Sequence, residues 1–213
     1  MAFYLFDFDG TLVDSMPTFV SVMKRLLDEN GIPYGDDLVK TITPLGYGGT
    51  ADYYISLGLD MKKEDIVALA NEYAYDDYAY RIVPKAHVVD ALNVLKARGD
   101  DLNVLTASPH AVLDPCLKRC GIYDLFTNVW SCDDFGTSKA DPEIYRLAAQ
   151  RMGTTVDKVL FLDDNYNADK TALAAGMKVC GVYDESSDEF VDEMKALCDW
   201  YIRDFTELPE IEF

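Results

Sequence analysis

Residues 3–14 read Phe-Tyr-Leu-Phe-Asp-Phe-Asp-Gly-Thr-Leu-Val-Asp. The apolar run from Phe3 to Phe8 is broken only by Asp7 and empties into Asp9-Gly10-Thr11, an acidic and glycine turn signal. The stretch therefore reads as a buried strand ending in a loop. Asp7 and Asp9 have the same parity and point the same way while the strand lasts. Helical spacing follows at once. Phe19, Val22, Met23, Leu26 and Leu27 recur on one face between Ser15, a candidate N-cap, and Gly31, with Pro17 in the first turn.

Residues 36–80 add helical candidates over Leu38 to Ile42, Thr50 to Leu57 and Glu64 to Tyr80, broken at Thr43-Pro44 and at a Gly46-Tyr47-Gly48-Gly49 turn. No strand pattern intervenes. After Pro84 the pattern alternates: a helix from Val88 to Arg98, a strand from Leu102 to Thr106, a helix, a strand from Val129 to Ser131 and a helix from Pro142 to Met152. It continues with strands Val159 to Leu162, Val179 to Tyr183 and one near Tyr201, separated by helices Lys170 to Ala175 and Phe190 to Cys198. Such repetition implies right-handed crossovers and a parallel sheet covered on both faces. The expected fold is α/β, with a Rossmann-like parallel sheet core of residues 1–14 and 82–213. An all-α helical cap, residues 15–81, is inserted after the first strand.

The chain has 213 residues, 49% of them hydrophobic, which is ample for a packed core. Its 19 basic and 38 acidic residues leave a net charge of −19. That field repels nucleic acid and anionic membrane surfaces, so neither is expected as a partner. No apolar run approaches a membrane span. The opening Met-Ala-Phe-Tyr-Leu-Phe-Asp-Phe-Asp-Gly lacks the basic start of a secretory leader, and a cytoplasmic protein is expected. Five cysteines form no regular framework and read as reduced, apolar core residues; His87 and His110 lack ligand spacing beside them. The pattern leaves the oligomeric state open, and a monomer is compatible with it.

In open parallel sheets ligands gather beyond the carboxyl ends of the strands. There the first strand delivers Asp7 and Asp9, the Leu102 strand Thr106-Ala107-Ser108, and the Val159 strand Asp163-Asp164, with Lys139 in a loop before Pro142. Singly these are weak signals, since with 28 aspartates Asp-x-Asp arises by chance about four times. Asp-Asp at 36, 76, 100 and 133 reads as caps, turns or solvated faces. Position raises the odds for the strand-end set. Carboxylates of this kind suit Mg²⁺, and a hydroxyl, a lysine and backbone amides can hold phosphoryl oxygens as charge shifts in a transition state.

Four ordered stretches resemble the motifs of haloacid dehalogenase-like hydrolases. They are Phe6 to Asp14, Leu105 to Ser108, Ser138 to Tyr145, and Phe161 to Asp164 with Ala174 to Met177. The resemblance, to phosphatases with a helical cap and to the phosphoglycolate phosphatase type among them, implies a phosphatase acting on a small phosphorylated metabolite. Asp7 would be the nucleophile forming an aspartyl-phosphate, and Asp9 the general acid and base. Mg²⁺ would be held by Asp7, the Asp9 carbonyl and Asp164, with Asp163 as ligand or neighbour. Thr106 and Lys139 would bind phosphoryl oxygens, with Ala107 and Gly10 also at the substrate. Two departures stand out: position 168 is Ala where relatives place an acid, with Asp169 one step later, and Lys139 is followed by Ala140 instead of proline.

The turn at Gly46 to Thr50 resembles the specificity loop of such relatives, so Tyr47 and Thr50 are candidates to reach the leaving group. The many tyrosines of residues 15–81 read first as helix packing. Arg81 is placed either against a second anionic group or against Asp76 or Asp77. A phosphomutase of the β-phosphoglucomutase type is the alternative within the same architecture, although the position of its cap histidine is Phe19 here. A non-catalytic receiver-like Mg²⁺ and phosphate-binding module is the alternative outside it, and a catalytically silent binding protein of the same fold is a third.

Overall fold

In a computed structural model, the chain is described at all residues except Thr43 and Pro44; of Lys40 and Gly46 only the backbone is described. The expected break at Thr43-Pro44 therefore lies outside the described residues. Six strands form one parallel sheet: β1 (Phe3–Phe6), β2 (Asp101–Thr106), β3 (Asn128–Ser131), β4 (Val159–Asp163), β5 (Lys178–Val182) and β6 (Trp200–Ile202). Their order is β3-β2-β1-β4-β5-β6. The chain winds outward from β1 in one direction and then, from β4, in the other, which makes the gap between β1 and β4 the topological switch point.

Strand alternation builds two cores. Tyr4, Phe6, Leu102, Val104, Leu160 and Leu162 bury themselves on one face of the sheet. Leu5, Leu105, Val159, Phe161 and Val179 do so on the other. Each such side chain contributes about 1.5–3 kcal/mol on full burial. The second face is covered by α7 (Glu143–Arg151) and α8 (Tyr166–Ala175), and α8 turns Ala168, Ala172 and Ala175 inward. Small side chains there let the helix lie close to β4 and β5. The helices α5 (Val88–Ala97), α6 (His110–Arg119) and α9 (Val191–Leu197) complete the crossovers.

Between β1 and α5 come α1 (Met16–Glu29), α2 (Leu38–Ile42), α3 (Gly46–Ser56) and α4 (Lys63–Tyr80). The inserted block joins the sheet through two chain crossings that run side by side. Asp14 N donates to Val83 O at 3.0 Å, Lys85 N donates to Leu12 O at 3.0 Å, and Val13 forms an isolated antiparallel bridge with Pro84. One expectation fails here: Gly46 to Gly49 is the first turn of α3, not a loop. Glycine's low helix propensity is overridden by packing. The Tyr47 ring stands edge-on to Phe19 at 5.1 Å, and a β-carbon on Gly49 would come within 2.9 Å of Leu45 Cβ.

All five cysteines are free thiols, with Cys116, Cys132 and Cys180 buried. Among the described residues no helix is long and apolar enough to cross a membrane.

Candidate active site

The ladder between β1 and β4 pairs Phe6 with Leu162, and Asp7 N continues it by donating to Leu162 O at 2.8 Å. Asp7 therefore leaves the sheet beside Asp163 and Asp164. The three buried carboxylates each place an oxygen within 4.8 Å of the others. The Lys139 ammonium sits among them, paired with Asp7 and, at 2.8 Å, with Asp163 Oδ2. Asp163 is fully engaged, since its Oδ1 also accepts from Asn165 N at 2.8 Å. Asp164 Oδ1 accepts from Thr11 at 2.9 Å.

This crowding sets the protonation. Burial pushes the Asp7 carboxyl up to about 8; Lys139 pulls it down, and the charges of Asp163 and Asp9 add to the rise. Asp164 is driven well above the ordinary carboxylate range by burial and then by Asp163 and Asp7, with Lys85 opposing. Burial alone would lower Lys139, but Asp163 and Asp7 hold it well above its usual value. Three carboxylates around one ammonium have an unmet demand for positive charge. Their oxygen donors and close approach fit a hard divalent cation such as Mg²⁺.

Asp9 does not follow Asp7. The strand ends at Phe6 and the chain folds back, with Leu12 N and Val13 N both donating to Phe8 O. The Asp9 carboxylate accepts three hydroxyls: Ser15 at 2.7 Å and Tyr78 at 2.5 Å on Oδ1, and Ser108 at 2.5 Å on Oδ2. Ser15 does precede α1, but its hydroxyl makes no cap bond and is taken up by Asp9 instead. The loop between the two aspartates needs Gly10. Its φ is +73°, and a β-carbon there would run into the Asp164 carboxylate.

Of the other candidates, Thr106, Ala107, Lys139 and Tyr47 join Asp7, Asp9, Asp163 and Asp164 around one cavity of about 360 Å³. Thr106 is buried at the end of β2, its Oγ1 accepting from Ser108 N at 3.0 Å. The structure does not bring Thr50 there: it is fully buried and donates to Ile42 O at 3.3 Å. Gly10 stands behind the cavity beside Asp164, its carbonyl accepting from Lys85 at 2.6 Å. Arg81 points to the surface and pairs with Asp77. The Lys139 loop, lacking its proline, is pinned by Tyr145, whose hydroxyl lies 3.1 Å from the carbonyl of Lys139, and by Asp141 N donating to Ser138 O at 2.9 Å.

Sequence reasoning gave Ser15, Tyr78 and Lys85 no place at the site, and gave Ser108 a strand-end position without a role. Lys85 binds the carbonyls of Gly10 and Tyr183, each at 2.6 Å, and Asp184 at 2.9 Å, so it props the loop after β1 from behind. Asp169 is not part of the carboxylate trio. Its Oδ2 accepts from Cys198 at 3.3 Å and its buried Oδ1 meets no partner.

A family model described as haloacid dehalogenase-like hydrolase matches residues 1–176. The chain belongs to that family, and it is an enzyme of the hydrolase class. It is 27% identical over 179 residues to pyrophosphatase PpaX of Bacillus velezensis, covering 84% of this chain and 81% of the relative. It is 28% identical over 214 residues to phosphoglycolate phosphatase of Escherichia coli K12, covering 88% and 83%. A crystal structure of CbbY from Rhodobacter sphaeroides in complex with phosphate superposes with a TM-score of 0.83 at 20% identity, over 98% of this chain and 96% of that one, a likeness of fold.

Two substitutions probe this geometry. Gly10→Ala should lower stability by about 1–2 kcal/mol from the left-handed backbone alone, with a further loss from displacing Asp164, as read by denaturant unfolding. Burial and the Asp163 charge raise Asp169 well above its ordinary pKa, so the folded chain keeps that proton to a higher pH than the unfolded chain. Stability then falls as pH rises from about 4 through the folded value. Asp169→Asn removes this loss. In metal-free buffer it should raise the thermal midpoint by about 2–4 °C per kcal/mol recovered at pH 8, a gain that vanishes near pH 4.

Proposed function

We propose that this protein is a Mg²⁺-dependent phosphatase that hydrolyses a small phosphate monoester through an aspartyl-phosphate on Asp7. The family match and the phosphatases among its relatives support its class as a phosphoric monoester hydrolase. The observation that carries the mechanism is the meeting of Asp7, Asp163, Asp164 and Lys139 at the β1/β4 switch point, in one cavity with Asp9 and Thr106.

In this scheme an Asp7 oxygen attacks phosphorus as the bond to the leaving oxygen breaks, and Asp9 gives that oxygen its proton. Asp9 then takes a proton from water, whose oxygen attacks the phosphorus and frees Asp7. Lys139 and the Thr106 hydroxyl, with the Ala107 backbone, hold the phosphoryl oxygens. Asp7, Asp164 and the Asp9 carbonyl would hold the cation, while Asp163, engaged by Lys139 and Asn165, orients the lysine. Bound there, Mg²⁺ supplies positive charge to the phosphoryl oxygens. The three hydroxyls on Asp9 fix the rotamer from which it moves its proton. Residues 1–14 and 82–213 act as the catalytic core and 15–81 as the cap, which excludes water and contributes Tyr47 to the substrate side. A cytoplasmic setting fits this chemistry. A mutase is disfavoured by Phe19, whose buried ring stands at the cavity wall where a proton-carrying side chain would be needed.

Phosphate release from p-nitrophenyl phosphate should require Mg²⁺, stop with EDTA, vanish in Asp7→Asn and fall about 10²–10⁴-fold in Asp9→Asn. Release indifferent to EDTA and to Asp7→Asn would overturn the scheme. Because Asp7 holds a proton up to about 8, protons compete with the cation, and calorimetric Mg²⁺ affinity should weaken as pH falls from about 8 to 6.

A further inference from the structure

Resting on that reading, we propose that the substrate is a monophosphate whose leaving group is uncharged and largely apolar, with no second phosphate or carboxylate. The cavity has two unlike halves. Its sheet side holds four carboxylates, Asp7, Asp9, Asp163 and Asp164, against one ammonium, Lys139. The helical insert contributes an apolar wall of Met16, Phe19, Leu45, Tyr47 and Tyr78, and Ser15, Asn165, Asn167 and Thr171 add neutral polar groups to the lining. Among the described residues lining the cavity no other cation appears, and Lys139 is already shared between Asp7 and Asp163.

Among the described residues, several cations of the insert and its flanks are paired elsewhere. Arg81 pairs with Asp77, Lys63 with Asp52 at 2.6 Å, and Arg25 with Glu29 at 2.8 Å. Lys85 is bound behind Gly10, and Arg119 donates to the carbonyls of Tyr78 and Ile82. Beyond the phosphate site the described lining carries no charged side chain, so a second anionic group on the substrate would be taken from water into the cavity without a cationic partner. An apolar body meets instead the rings of Phe19 and Tyr47. The buried Tyr47 hydroxyl lies beside that of Tyr78, and burial together with the Asp9 charge keeps it protonated. It presents a neutral polar group to the leaving group. Phosphoglycolate, which carries a carboxylate, and pyrophosphate, which carries a second phosphate, fit this wall poorly.

The test uses a matched pair, benzyl phosphate and 4-carboxybenzyl phosphate, with phosphoglycolate as a third ligand. Calorimetric binding to Asp7→Asn with Mg²⁺ reads the pocket without turnover, and kcat/KM of the unaltered enzyme reads the chemistry. Benzyl phosphate should bind at least tenfold more tightly than either carboxylate-bearing ligand and be hydrolysed with at least a tenfold higher kcat/KM. Leu45→Arg, a change at a half-exposed position of the apolar wall, should narrow both ratios. Equal or tighter binding of the carboxylate-bearing ligands overturns the inference. If the binding ratio holds and no ester is hydrolysed, the phosphatase reading fails while the pocket's preference stands.

Discussion

Like charges gathered at one point are the constraint on which this molecule turns. Three carboxylate oxygens within 4.8 Å of one another repel by about 3 kcal/mol per pair at an effective dielectric of about 20 if all are ionised. A flexible chain would let them drift apart. Here the β1/β4 ladder fixes two of them in neighbouring positions, and the register leaves no freedom. The backbone bond from Asp7 to Leu162 carries that register one residue past the strand. Lys139 answers part of the repulsion, and proton uptake by Asp7 and Asp164 answers more when no cation is present.

The surrounding architecture supplies the force that holds such a site together. On both faces of the sheet the strand residues next to the acids, Phe6, Leu162 and Phe161, are wholly buried. Moving Asp7 or Asp163 outward would drag those side chains from two cores at once. The same reasoning explains Gly10. Only a residue without a side chain lets the backbone pass so close to Asp164, and Lys85 ties the carbonyl of that residue to the β5 end of the sheet. Strain and crowding are concentrated at the site, and close-packed, locally consistent structure surrounds it.

Much of this was legible in the sequence because it is written in short-range patterns. Period-two burial located the strands, period-3.6 burial located the helices, and the strand-end positions of Asp7, Thr106 and Asp163-Asp164 marked residues that the fold brings around one cavity. What escaped depends on tertiary contact. Gly46 to Gly49 carries turn chemistry by composition, and only the packing of Tyr47 on Phe19 and of Gly49 on Leu45 makes it helical. Ser15 was readable as a helix start, yet its hydroxyl serves a carboxylate six residues earlier. Lys85, 75 residues from Gly10 in the chain, has no local signal at all. Thr50 misled because a hydroxyl beside glycines looks exposed, whereas the helix turns it inward.

The two halves of the cavity meet at Asp9, and that junction has a physical consequence. Two of its hydroxyl partners belong to residues 15–81, Ser15 at the crossing and Tyr78 on α4, while the third, Ser108, follows β2. Phe8 and Tyr78 also lie ring to ring at 6.0 Å beneath it. The apolar wall and the hydroxyls that set the Asp9 rotamer therefore ride on the same helical block. Any displacement of that block about the paired crossings at Asp14 and Val83 changes the shape of the cavity and the surroundings of Asp9 in one movement. On the proposed mechanism, proton transfer at Asp9 and selection of the leaving group would thereby be linked through Tyr78.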